Sequence, residues 1–275
     1  MESCKGTRKI TNKKMDQQDE YYDNMITMLE LIWGKGYMAP GGPGNVEKML
    51  NGIETEGKRI LDIGCGLGGP AFEMTNTFGA NVVGIDLESP LIKRATEAAT
   101  EMGLQDRCKF HTVKAGALDF PNQSFDIVVS SGAITQVKDK AGIFKECYRV
   151  LKPGGYLTCY DWTKSEGPLS EDMFYWFKME GLTYALETLD EYKVHLKKVG
   201  YIEVMINDAS DWYSNEVLKE YELIRGRLYP LMVELLGQKD ADHFVENWRA
   251  MVVVCEKGEM HQGYCQGQRP LKDYS

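Results

Sequence analysis

The densest chemistry in the chain lies at residues 61–69, LDIGCGLGG. A short apolar run delivers Asp62, and Gly64, Gly66, Gly68 and Gly69 then turn the chain into a helix, with Cys65 between the first two glycines. Glycine tolerates positive φ and lets a ligand approach backbone that a side chain would cover. A helix N-terminus offers unpaired N–H groups to a negative group such as a carboxylate. Alone, such a loop is weak evidence, since a dinucleotide fold or a plain tight turn can show it too. Asp86 adds a second requirement, because it closes the next apolar run, VVGID, 18 residues beyond Gly68. An acid at that place accepts two hydrogen bonds from ribose hydroxyls. The pair describes a ligand with an anionic end and a ribose, a description that a nicotinamide dinucleotide also meets.

These residues need a frame, and the middle third of the chain supplies one. RILDIG, NVVGID, CKFHTV, FDIVVSS and YLTCYDW are short apolar runs. Helical patterns at Ala71–Phe78, Pro90–Met102 and Lys140–Val150, and turns at PNQS and KPGG, separate them. Apolar strands alternating with helices predict a parallel sheet covered on both faces, a doubly wound, Rossmann-like α/β fold. Ahead of it, Met25, Met28, Leu29, Ile32 and Trp33 recur at helical spacing between Asp16 and Gly34. A YMAPGGPG loop and a helix over Asn45–Gly52 follow. Beyond Ser165, residues 174–201 read as helical, YIEVMIND as a strand, 214–237 as one long helix and Ala241–Lys257 as another. The expected organisation is a flexible tail at 1–15 and one domain at 16–275. Within it lie a helical lid (16–50), a cofactor-binding core (51–163), and a cap with the final strands (164–275). The sheet should hold seven mostly parallel strands.

Composition narrows the partners. Hydrophobic residues make up 43% and charged residues 27% of 275, which suits a folded domain and excludes a largely disordered one. The net charge of −9 disfavours nucleic acid or an anionic membrane surface as the main partner, since phosphate binding needs clustered Lys and Arg. No stretch nears the roughly 20 apolar residues of a membrane span, and the basic N-terminus lacks the apolar segment of a secretory signal. Seven scattered cysteines fit neither a disulfide framework nor a zinc site, so a reducing, cytoplasmic setting is expected. The four histidines stand in no metal or triad spacing, and no metal is expected.

FPNQSFDIVVSSGAI, followed by ECYRVLKPGGYL, resembles class I S-adenosylmethionine-dependent methyltransferases, and the resemblance covers roughly residues 20–160. It implies S-adenosylmethionine as cofactor. Gly64, Gly66 and Gly68 would surround its methionine moiety, Asp86 would hold the ribose, and Leu87 would lie beside the adenine. Tyr37, Asp62, Cys65 and Ser131 complete the candidate cofactor set. In KAGALDF, Gly116 and Ala117 stand where the family commonly has an acid–apolar pair for the adenine edge, with Asp119 close by.

The segment EYYDNMITMLELIWGKGYMAPGG is similar to the lid of phosphoethanolamine methyltransferases, and its YYD and IWG also resemble sarcosine and dimethylglycine methyltransferases. This implies N-methylation of a small-molecule amine, with Tyr21 orienting the acceptor and Gln136 offering a hydrogen bond as the candidate catalytic pair. The chain departs from the phosphoethanolamine pattern at three places. Gly132 and Gln136 replace an Asp that binds the amine and a His that serves as base, and Leu182 replaces an Arg that holds the phosphate. Glutamine is no general base, and without the cation a phosphate ester loses its charged ligand. Dimethylglycine-like amines and carboxylated thioethers fit better. Tyr37, Tyr160, Trp162, Trp176, Tyr184, Trp212 and Tyr213 are candidates for an aromatic pocket that suits a methylated cation, and equally for cap packing. Trp162, Tyr184 and Arg225 are the substrate-binding candidates. Arg225 and Arg227 would hold a substrate carboxylate, or lie on a solvated helix face. An S- or C-methyltransferase and a non-catalytic S-adenosylmethionine binder remain open alternatives on the same fold. The oligomeric state is not legible in the sequence.

Overall fold

The computed structural model of the chain describes residues 23–182 and 184–272. The apolar runs become the strands β1 (Arg59–Ile63), β2 (Asn81–Asp86), β3 (Cys108–Thr112), β4 (Phe125–Ser131) and β5 (Leu151–Lys164). Together with β6 (Ile202–Asp208) and β7 (Met260–Gln268) they form one seven-stranded sheet in the order β3-β2-β1-β4-β5-β7-β6. β1 pairs in parallel with β2 and β4, and β4 with β5. Only β7 runs antiparallel, wedged between β5 and β6. Ile60, Leu61, Val128 and Val129 are fully buried, as expected for central strands covered on both faces.

The chain leaves β1 towards β2 and β3, then returns to the other side of β1 with β4. This reversal leaves a crevice beyond the carboxyl ends of β1 and β4, the place where open α/β sheets bind ligands. The glycine loop follows β1 there. On one face lie α2 (Gly42–Leu50), α3 (Gly69–Asn76), α8 (Ser210–Arg225) and α10 (Gln238–Glu256). On the other lie α5 (Lys140–Val150) and α7 (Leu189–Val199), packed against Phe125, Leu157 and Cys265. Residues 23–33 are helical and form α1; the remainder of the expected lid helix, 16–22, falls outside the described residues.

Local chemistry moves several boundaries. α2 begins at Gly42 rather than Asn45, and α3 at Gly69 rather than Ala71, because Pro43 and Pro70 fit the first helical turn. α4 runs Ser89–Glu101 for the same reason, with Pro90 in its first turn. The helical reading of 174–201 is corrected to two helices. α6 (Glu171–Glu180) stops at Gly181 in the left-handed region, and α7 starts at a capping box in which Thr188 and Glu191 satisfy each other's backbone N–H groups. The run 214–237 also divides: α8 ends before Gly226, and α9 (Tyr229–Leu236) begins with Pro230 in its first turn. KPGG is a turn by composition but is absorbed into β5, where Gly154 adopts φ 81°. Among the described residues no helix is long and apolar enough to cross a membrane.

Candidate functional site

The site is built from the ends of three strands. After β1, the N–H groups of Gly64 and Cys65 both donate to the carbonyl of Ile85 on β2, at 2.8 and 3.1 Å. The loop is thereby folded onto the end of β2. Gly66 N–H donates to Asp86 Oδ2 at 2.9 Å, and Glu88 N–H to Asp86 Oδ1 at 3.0 Å. Each carboxylate oxygen accepts one backbone hydrogen bond and keeps a lone pair for a further donor, so Asp86 is fixed in orientation without being saturated. Asp62 sits behind the loop, buried, with Oδ2 unpartnered. Burial, reinforced by the charge of Asp86, pushes its carboxyl up to about 7. Burial pushes the Cys65 thiol up as well, which makes it a packing group rather than a nucleophile.

The glycines are required where the loop meets its neighbours. A Cβ on Gly64, at φ 73°, would lie 2.2 Å from the Ala133 Cβ in the segment after β4. A Cβ on Gly69 would lie 2.5 Å from the carbonyl oxygen of Gly36, which accepts the Gly69 N–H at 3.0 Å. The loop at Gly36 therefore rests directly on the glycine loop. Glu30 Oε1 accepts the Gly36 N–H at 2.7 Å and holds that loop from α1. Tyr37 is buried against Gly69, and burial with the charge of Glu73 pushes its hydroxyl pKa up. Met38 lies over Gly66 and Ala39 over Gly132. Ser131, at the end of β4, is within 3.5 Å of the Asn45 amide.

One strand further on, Ser131 pairs with Tyr160, whose carbonyl accepts the Gly132 N–H at 2.8 Å. From there an aromatic cluster runs into the cap. Trp162 packs edge-on against Trp176 (5.4 Å between centroids) and Tyr184 (5.6 Å), Trp176 and Tyr184 stack at 5.0 Å, and Tyr213 is 6.4 Å from Trp162. Trp176 and Tyr213 are fully buried, while Trp162 is half-buried. Glu180 sits beside Tyr184 and accepts from the Asn247 amide at 2.6 Å; burial holds its carboxyl above the ordinary range. On the opposite sheet face Asp161 accepts the Tyr192 hydroxyl at 2.7 Å, and burial pushes its carboxyl up to about 7.

The structure thus brings Tyr37, Asp62, Gly64, Cys65, Gly66, Gly68, Asp86 and Ser131 to one crevice, with Trp162 and Tyr184 beside it. Leu87 is exposed at the rim after β2, and Gly116 and Ala117 lie on an exposed bend after β3. Gln136 ends the short 3-10 turn Ile134–Gln136 and is exposed. Tyr21 lies outside the described residues. Arg225 is not brought to the cluster: it closes α8, is exposed, and pairs with Glu222 at 2.6 Å. It lies about 20 Å along the helix from Trp212, at 1.5 Å per residue. Reading the sequence missed Gln262 and Tyr264 on β7. Their polar spacing in MHQGYCQGQ gave no strand signal, yet they line up with Trp162 and Tyr160 across the β5–β7 ladder. Among the described residues no three His, Cys, Asp or Glu side chains gather as a metal site would require.

The seven-stranded, mostly parallel sheet is the Rossmann-like methyltransferase fold. Residues 61–159 match the family model described as a methyltransferase domain. Phosphoethanolamine N-methyltransferase 1 of Zea mays is 30% identical over 267 residues, covering 94% of this chain and 52% of that protein. The chain spans about half the length of the curated plant relatives it matches. Among solved structures, Haemonchus contortus phosphoethanolamine N-methyltransferase 2, in complex with phosphomonomethylethanolamine and S-adenosylhomocysteine, superposes with a TM-score of 0.83. It is 26% identical, covering 92% of this chain and 59% of that one. A candidate sarcosine dimethylglycine methyltransferase from Galdieria sulphuraria reaches a TM-score of 0.78 at 19% identity, covering 92% and 99% of the two chains, a likeness of fold.

Proposed function

We propose that this chain methylates the nitrogen of a small amine with S-adenosylmethionine as donor. The observation that carries the reading is the placement of the glycine loop after β1 and the half-satisfied Asp86 carboxylate after β2 in one sheet with the aromatic cluster that begins on β5, with only β4 between β1 and β5. S-adenosylmethionine would supply a methyl group already activated by its sulfonium. The chain's task is then to hold two partners in line and to exclude water. Gly64, Gly66 and Gly68 give backbone access at the methionine end, and Asp86 offers two lone pairs to the ribose. Leu87, Gly116 and Ala117 sit on the rim where an adenine would lie. Met38 and Ala39 close the loop from the lid side.

On the acceptor side, the faces of Trp162 and Tyr184 stabilise a positively charged, methylated nitrogen by about 0.5–2 kcal/mol per contact. By the family resemblance, Gly132 and Gln136 stand where an Asp and a His handle the amine proton. An amide removes no proton, so the acceptor should be a tertiary amine: its ammonium form gives its one proton to solvent before transfer, and the quaternary product has none left to lose. Tyr21 is assigned the orienting role from that same resemblance. Incubation of the chain with S-adenosylmethionine and a panel of phosphorylated and carboxylated amines, carboxylated thioethers and carbon acids, read by mass spectrometry, tests the proposal. Methylated amine with equimolar S-adenosylhomocysteine is expected. Methylation confined to thioethers or carbon acids would overturn the choice of nitrogen.

A further inference from the structure

The aromatic cluster contains polar atoms that the protein leaves unmatched. Gln262 is fully buried, and neither its Nε2 nor its Oε1 has a hydrogen-bond partner. The hydroxyls of Tyr160 and Tyr264 and the indole N–H of Trp176 are buried and unpartnered as well. These atoms belong to one place. In the antiparallel β5–β7 ladder Tyr160 pairs with Tyr264 and Trp162 with Gln262, and directly opposed residues point to the same face. Alternation along each strand puts both pairs on that face, with Gln262 about 7 Å along β7 from Tyr264. The Tyr160 and Tyr264 rings are 4.9 Å apart, and Trp162 carries the cluster on to Trp176. α8 covers the face at Ser210, whose Oγ accepts the Gln262 backbone N–H at 3.2 Å.

A buried amide with both ends unmatched is costly, so native proteins keep few of them, and those kept call for a partner. The donors that converge here are all neutral. The two cations buried among the described residues are elsewhere. Lys140 lies against Val137, Ala185 and the Tyr192 ring on the opposite face, and Arg269 is bonded to the carbonyls of Tyr148 and Leu151 at the far end of the sheet. The ionisable groups beside the cluster are carboxyls: Glu180 next to Tyr184, and Glu220 and Asp161 near Tyr160. A phosphate dianion would lose its hydration here without gaining a cation. A singly charged carboxylate matches an amide N–H and two hydroxyls, with its ammonium end over the Trp162 and Tyr184 rings.

The geometry points to Gln262, supported by Tyr160 and Tyr264, as the residue that makes this site specific for an acceptor bearing a carboxylate rather than a phosphate. The inference rests on the methyl-transfer reading above and deepens it. Glycine betaine and phosphocholine carry the same trimethylammonium group and differ in the anion, so they isolate the contribution of Gln262. With the chain saturated by S-adenosylhomocysteine, calorimetry should show glycine betaine binding at least tenfold more tightly than phosphocholine. Gln262→Leu should weaken glycine betaine at least tenfold and leave S-adenosylhomocysteine affinity unchanged. It should also raise Tm by a few degrees, because it removes an unmatched amide. A merely structural glutamine would instead give a lower Tm. Gln262→Glu, the isostere with a like charge, should abolish carboxylate binding. Equal or tighter binding of phosphocholine, failure of glycine betaine to bind, or an unaltered Gln262→Leu variant would each overturn the assignment. Turnover of phosphobases by the unaltered chain would overturn it while leaving amine methylation standing. A chain that binds no S-adenosylhomocysteine would bring down both.

Discussion

Replacing Gly64 by alanine tests the cradle at its tightest point. Two costs add there. Gly64 holds φ 73°, where a Cβ costs about 1–2 kcal/mol. That Cβ would also stand 2.2 Å from the Ala133 Cβ, far inside ordinary contact, and forcing an extra carbon into packed surroundings costs about 1–3 kcal/mol. The sum is about 2–5 kcal/mol, or roughly 3–9 °C in Tm for a chain of this size. The damage is local. The Gly64 and Cys65 N–H groups are held by the Ile85 carbonyl, and Gly66 by Asp86, so a displaced loop also misplaces the backbone that faces a cofactor. S-adenosylhomocysteine affinity should fall at least tenfold.

The two costs separate in a double-mutant cycle. Ala133→Gly removes the methyl group that the new Cβ would strike but leaves φ as it is. The double variant Gly64→Ala/Ala133→Gly should therefore recover the steric part and keep a residual loss of about 1–2 kcal/mol. Calorimetry and thermal unfolding of the four proteins read both quantities. If Gly64→Ala matched the parent in Tm and S-adenosylhomocysteine affinity, the packing of this loop against the segment after β4 would be wrong. If the second substitution gave no recovery, the steric half of the argument would fail.

Asp86→Asn keeps the shape but replaces one acceptor oxygen by a donor facing the Gly66 N–H. S-adenosylhomocysteine binding should weaken by about 1.5–3 kcal/mol, the worth of hydrogen bonds to a charged group, and an unchanged Kd would remove Asp86 from the ribose. Glu220 is buried between α1 and α10, accepting the Trp33 indole N–H at 2.8 Å and the Trp248 indole N–H at 3.0 Å. Burial pushes the carboxyls of Asp62, Asp161 and Glu220 up to about 7. They keep their protons in the folded state when the unfolded chain has lost them, so the stability they contribute is complete below about pH 4 and is lost as pH rises through 7. Tm should fall between about pH 4 and 7, and Glu220→Gln should flatten that fall, which differential scanning calorimetry would show; an identical pH profile would contradict the burial of this carboxyl. The six described cysteines are buried and free. In the native protein they should resist a thiol reagent and react on unfolding, so rapid labelling of any of the six in a tryptic map would contradict their burial.

The cofactor half of the molecule was legible because it depends on local chemistry. LDIGCGLGG and Asp86 lie within a strand–turn–helix–strand stretch, where period, glycines and a strand-end acid are sequence properties. Helix ends were legible only as far as their caps were heeded, since Pro43, Pro70, Gly181 and Gly226 set boundaries that hydrophobic period alone misses. Arg225 shows the opposite case: its charge suits a carboxylate, yet its place at the outer end of α8 gives it Glu222 instead. β7 shows why. Its polar sequence hides a strand, because antiparallel insertion between β5 and β6 buries residues that no local pattern marks as core. The alternating α/β frame and the glycine loop after β1 follow from local sequence alone. Which side chains meet across β5 and β7 is set by long-range pairing that neither segment encodes alone, since it makes neighbours of residues about a hundred positions apart.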